Sequence, residues 1–231
     1  MGVPARRLLI PAEPVGKYTH PTWWNIVEEL MPNESYKLAF KLFVQDASAL
    51  GSHDIVPIFH SWIQQKKVAD HLVIDVADYD HVPNGPGTLL IALEANFAAD
   101  REDGRAGLLY IRKQPIVGAT TFAERLRAAI RPLLEAAERL EQEPALAGKV
   151  KFRTDELLFR IYDRLLAPNT PETLADVKGD LEALVVDLYG AKPEALEYHS
   201  SAHRLFEVRI KTPGKATLAS ILQRLPAPAM A

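Results

Sequence analysis

The sequence predicts an α+β fold, two sub-domains of mainly antiparallel strands packed against helices. Three observations predict it. Apolar runs of strand length, at 36–45, 71–82 and 88–97, are bounded by Pro, Gly, Asn, Asp and Ser. Two of them flank the turn-rich PNGPG at 83–87, and a second hairpin is expected over 194–211, so the pairing is antiparallel. Long segments beginning at Thr121 and Thr170 carry apolar residues at helical spacing behind capping residues.

A chain of 231 residues fits one large domain or two small ones. Its 48% hydrophobic and 25% charged content is that of a globular protein. Roughly 70% of the unfolded surface of such a chain leaves water on folding. The formal charge of −3 supplies no long-range attraction to nucleic acid or anionic lipid, so neither is expected as a partner. Cysteine is absent, which excludes disulfides, thiolate nucleophiles, zinc–thiolate sites and iron–sulfur clusters. No apolar run approaches the ~20 residues of a membrane span. Arg6–Arg7 resemble a twin-arginine signal, but only Leu8 to Ile10 follow before prolines intervene. Arg6 also stands where a myristoylation signal wants Ser or Thr. The expected location is cytoplasmic.

The elements follow in order. Residues 1–32 form a Pro-rich arm and a short helix, capped by Thr22, with Trp23, Ile26, Val27 and Leu30 on one face and Pro32 as its stop. Residues 33–148 make the first sub-domain. It holds a strand at 36–45 and a helix over 54–66, capped by Ser52 or Asp54, with Pro57 in its first turn and Ile55, Ile58, Phe59, Trp62 and Ile63 on its apolar face. Strands at 71–82 and 88–97, a charged loop over 98–106 and a strand at 108–113 come next. Thr121 and Glu124 then form a capping box for a helix whose stripe is Phe122, Leu126, Ala129, Ile130, Leu133, Leu134, Ala137 and Leu140, kinked at Pro132. Residues 149–212 make the second sub-domain. A short strand at 149–153 leads to a segment over 155–166 that reads as a helix, with Leu158, Ile161, Tyr162 and Leu165 on one face, or as a strand. Thr170 and Pro171 open the next helix and Gly190 stops it. Both halves read as strand, helix, then antiparallel strands, a weak hint of a structural repeat. In the tail, 213–231, Leu218, Ile221, Leu222 and Leu225 form one short amphipathic helix, stopped by Pro226 and Pro228.

The pattern from IFHSWIQ through LVIDVADYDHVPNGPG to GLLYIRK resembles an uncharacterised bacterial family, over about residues 36–212. The resemblance implies no activity.

The chemistry-bearing residues concentrate around the first hairpin. Asp75, Asp78, Asp80 and His81 end what reads as a buried strand, and Glu94 lies on the returning one. Buried carboxylates must be paired, protonated or metal-bound. Alternation puts Asp75 on one face with His81, and Asp78 on the other with Asp80. Pairing Val82 with Thr88 would bring Glu94 near Asp78, and a one-residue slip would bring it near Asp75. That arrangement defines an alternative reading as a divalent-metal hydrolase, with Asp75, Asp78 and Glu94 as catalytic carboxylates and Asp78, Asp80 and His81 holding Mg or Mn. The plainer reading lets these aspartates leave the core at a strand end, with Asp75 bonded to backbone or paired with Arg112 or Lys113.

Other candidates are weaker. His53 and His60 stand two helical turns apart, unlike a zinc helix, so Asp54 is expected as a cap and His60 as a packed imidazole. His199 and His203 are expected as exposed turn residues. Arg153, Arg209 and Lys211 form a candidate anion site, against a plainer reading of a charged face balanced by Asp155, Glu156 and Glu207. With no catalytic motif evident, the leading functional expectation is a non-catalytic binding or assembly protein. It would use Trp23, Trp24, Leu218, Ile221, Leu222 and Leu225 to dock a protein partner or a second subunit. A helix as short as the tail's needs a groove, its own or a partner's.

Overall fold

The computed structural model describes residues 34–226, apart from 84 and 202. The Pro-rich arm, Trp23 and Trp24 lie outside the described residues. The rest is α+β, with antiparallel strands packed against helices. Eight strands form one sheet: β1 (Leu38–Val44), β2 (Val73–Asp78), β3 (Thr88–Ala92), β4 (Ala95–Asp100), β5 (Gly107–Arg112), β6 (Phe152–Ile161), β7 (Ala195–Tyr198) and β8 (Phe206–Lys211). Their order across the sheet is β2-β3-β4-β5-β1-β6-β8-β7, and every neighbouring pair is antiparallel. Four helices accompany them: α1 (Ser52–Gln64), α2 (Phe122–Gln142), α3 (Pro171–Tyr189) and α4 (Leu218–Arg224).

Strands from both sides of residue 148 share this sheet, because β6 lies directly against β1. Each half places its first strand at the centre and its last strand beside it, then works outward in reverse chain order. The likeness between the halves is one of element order alone.

Alternation along the strands sorts side chains onto two faces. One row runs Val76, Leu90, Phe97, Tyr110, Phe40, Phe159, Val208 and Tyr198 across the whole sheet. These residues belong to the core that the apolar stripes of all four helices complete. α1 lies over β2 and β3, and α2 lies over β1 and β5 with α3 and α4 against it. The stripe expected for α2 is buried in full, and its capping box is present. Gly190 closes α3 in the left-handed conformation.

Four expectations need correction. Residues 88–97 are not one strand: β3 and β4 form a hairpin around Leu93 and Glu94, and the first third of the expected charged loop, 98–100, is β4. No Gly, Pro or Asn marks that turn. It is held from outside, since Leu93 N–H donates to the Leu72 carbonyl and the Lys113 N–H to that of Glu94. Residues 155–161 belong to a ten-residue strand rather than a helix. Leu157, Phe159 and Ile161 face the helices while Glu156, Leu158 and Arg160 face away, and Leu165 is 90% exposed. α1 begins two residues early, so Pro57 falls in its second turn, and its N-cap, Gly51, makes no side-chain bond. Finally, β2 is an exposed edge strand, not a buried one.

Gly87 shows how tightly the first hairpin is drawn in. Its φ is +70°, and a Cβ there would lie 2.0 Å from the Ala99 carbonyl oxygen, so only glycine fits.

Candidate functional site

The carboxylates of the first hairpin do not converge. Asp75 pairs with Ile91 and Asp78 with Thr88, a register that puts the two aspartates on opposite faces of the sheet. Glu94 sits in the β3–β4 turn, beyond the Val73 end of β2, whereas Asp78 is at the other end. Five residues of strand, roughly 16 Å, separate those ends. All four residues Asp75, Asp78, Asp80 and His81 are exposed. Each aspartate has a local structural bond. Asp75 accepts from the Val76 N–H at 2.7 Å, and Asp78 accepts from the Asp80 N–H at 3.0 Å. Asp80 accepts from the Ser52 N–H at 3.3 Å, supplying the α1 N-terminus with the acceptor that Gly51 lacks. Arg112 and Lys113 donate to backbone carbonyls of Gln114, Pro115 and Ala92 rather than to Asp75. Among the described residues, no three His, Asp or Glu side chains are grouped as metal ligands would be. His53, His60, His199 and His203 are exposed. His60 was expected to be packed.

Glu94 holds the edge instead. Burial opposes its ionisation, but the N–H groups of Leu72 (2.8 Å) and of Glu94 itself outweigh it and hold the carboxyl below the usual range.

The face of the sheet away from the helices is organised in two halves. Around β3, β4, β5 and β1 it is apolar: Ala39, Ala98 and Leu109 are buried among Leu89, Ile111 and Tyr162. No helix residue belongs to this cluster. Leu89, Ile91 and Ile111 keep part of their surface in water. Asn96 stands between Ile91 and Ile111 in the cross-strand row.

Around β1, β6 and β8 the same face is a lattice of ion pairs. Lys41 and Asp100 are bonded to one another, both side chains 5% exposed or less. The 101–106 loop folds back over this region. Its Arg105 stacks on Phe43, 3.8 Å from the ring centre, and holds Glu156 with two bonds of 2.6 and 2.8 Å. Lys211 reaches the same carboxylate at 3.0 Å. Arg105 thereby holds the Glu156 carboxyl at about 2, against the opposing effect of burial. Arg160 donates to Glu207 and to Glu102, and Arg204 to Asp103 at 2.6 Å. A cavity of about 10 Å³ lies between Lys41, Arg105, Arg160 and Arg209, a volume suited to about one water.

The anion site expected at Arg153, Arg209 and Lys211 is thus largely occupied by the protein's own acids. Arg153 binds Asp155 and Glu156, and Lys211 binds Glu156. The three acids of the plainer reading are those the lattice uses, with Asp100 added by the end of β4 and Glu102 and Asp103 by the loop. Lys41 and Asp100 were missed. A lysine within the apolar run LAFKLFV was their one signal in the sequence.

The C-terminal segment finds its groove on its own fold. Leu218, Ile221 and Leu225 are buried and Leu222 packs beside them. α4 contacts α2 and α3, and Arg131 of α2 donates to the Leu225 carbonyl at 3.0 Å. Among the described residues, no helix is long and apolar enough to cross a membrane. The chain matches no family model and no curated protein.

Proposed function

We infer that this protein is a non-catalytic cytoplasmic binding or assembly protein, and that the sheet face opposite α1–α4 is the docking surface. The observation that supports this is the composition of that face. Leu89, Ile111 and Tyr162 leave the apolar cluster partly exposed, Ile91 of β3 stands on the same face as Leu89, and a lattice of ion pairs borders them. An apolar centre with a polar margin is the anatomy of a protein–protein interface. The partner is a second copy of the chain. The lattice is paired internally, so two such faces meet without like-charge repulsion, and the net charge of −3 adds little between copies. The reading extends to Trp23 and Trp24 as further docking residues.

Sedimentation velocity of the full chain tests it, beside an Ile91→Glu variant. The expected result is a concentration-dependent dimer that the glutamate, placed in the patch, converts to monomer with unchanged thermal stability. A wild-type chain that stays monomeric at high micromolar concentration overturns the assembly reading.

A further inference from the structure

One aromatic side chain pins the connection between α1 and β2 to the sheet. The His71 ring stands edge-on to Phe97 and Tyr110, with ring centres 5.5 and 5.7 Å away. Both of its nitrogens are used. Nδ1 lies 2.8 Å from the Ala69 carbonyl oxygen, and Nε2 lies 3.0 Å from the Tyr110 hydroxyl. A carbonyl only accepts, so Nδ1 carries the proton and donates to it. Nε2 is then the bare nitrogen, and the Tyr110 O–H donates to it. A neutral imidazole satisfies this arrangement. An imidazolium does not, because it turns Nε2 into a donor: the Tyr110 oxygen must then accept, and its buried O–H loses Nε2 as acceptor.

The surroundings decide how readily the ring takes a proton. Burial resists it most, and Arg112 of β5 resists it further. Glu94 in the β3–β4 turn and Asp70 beside the ring favour it, though Glu94 is already bonded to the Leu72 N–H. The resisting effects prevail and hold His71 below the ordinary imidazole value. Tyr110 is fully buried and burial raises its pKa, so its hydroxyl keeps its proton throughout.

The segment itself is poised to move. Lys66 and Asp70 adopt left-handed φ angles of 50° and 57°, which cost energy in residues with a Cβ. Just beyond His71 come Leu72 and Ile74, 63% and 59% exposed, and an outer strand paired on one side only.

We propose that His71 is an acid-released latch: protonation of its ring takes the acceptor from the buried Tyr110 O–H, frees residues 66–72 from the sheet and loosens the edge strand β2. The latch is independent of the docking reading.

NMR titration of the His71 ring in the full chain tests it, together with amide hydrogen exchange over residues 66–78, corrected for the intrinsic effect of pH. His71 is expected to titrate below the ordinary imidazole value, and protection of 66–78 to be lost in step with it while β1 stays protected. In Tyr110→Phe the His71 midpoint should move up toward the ordinary imidazole value, and the loss of protection should move with it. In His71→Gln the step should vanish. Protection that stays flat across the His71 titration overturns the proposal, as does an equal step surviving in His71→Gln. If that variant does not fold, the wild-type titration and exchange, read on the same samples, still decide.

Discussion

Lys41 and Asp100 face each other on the sheet surface opposite α1–α4, yet both are almost wholly removed from water. A buried pair of this kind adds little over an apolar pair of equal volume, but an orphaned member is costly. Asp100→Ala is therefore expected to lower unfolding free energy by about 3–5 kcal/mol. Lys41→Met combined with Asp100→Leu should recover most of that loss. Urea denaturation of the two variants checks both statements, and a double variant as unstable as the single one would refute the pairing argument.

Glu156 makes a complementary prediction in pH. Its folded pKa of about 2 lies below the usual 4.5, so the folded state binds its proton less readily than the unfolded chain. The stabilisation is complete above about 4.5 and is lost as pH falls from there toward 2. Glu156→Gln should flatten the acid limb of a stability–pH profile in that window. Neither residue pair was readable beforehand. Lys41 lies 59 residues from Asp100, and Arg105 lies 51 from Glu156, so only the strand order brings them together.

At the scale of elements, helices were legible and interior strands less so. α2 and α3 carry their own caps, their own 3.6-residue stripes and, for α3, a stop at Gly190. Such signals are local, and the structure repeats them. The β3–β4 hairpin has no local signal, because its turn is Leu93–Glu94 and its restraints come from Leu72 and Lys113. The sequence of β6 reads as a helix or a strand for a related reason. It sits between β1 and β8 with long side chains on both faces, so its alternation is hidden. α4 has the reverse history: its stripe was plain, but its groove was not. Its Leu218 and Ile221 and the capping Leu225 are buried here, each worth about 1.5–3 kcal/mol before ordering costs. Removing residues 215–231 should therefore destabilise the chain by on the order of 3–5 kcal/mol and leave its oligomeric state unchanged. A calorimetric scan with sedimentation checks this. A truncated chain that loses association but not stability would return the tail to the docking role.

For the whole molecule, composition and local pattern determined the class: α+β, antiparallel, with two capped helices and two hairpins in known places. They also determined that thiolate chemistry is excluded, since that follows from residue type alone. The tertiary structure decided the rest. It joined the segments on either side of residue 148 through β1 and β6, and put β2 on an edge, where its aspartates stand in water rather than in a core. It left one sheet face to an apolar patch and a charge lattice, and set His71 against Tyr110. The physical reason is the range of the forces involved. Capping, turns and helical periodicity act within a few residues and are written along the chain. Burial and ion pairing depend on which strands become neighbours, and that is set by the packing of the whole sheet.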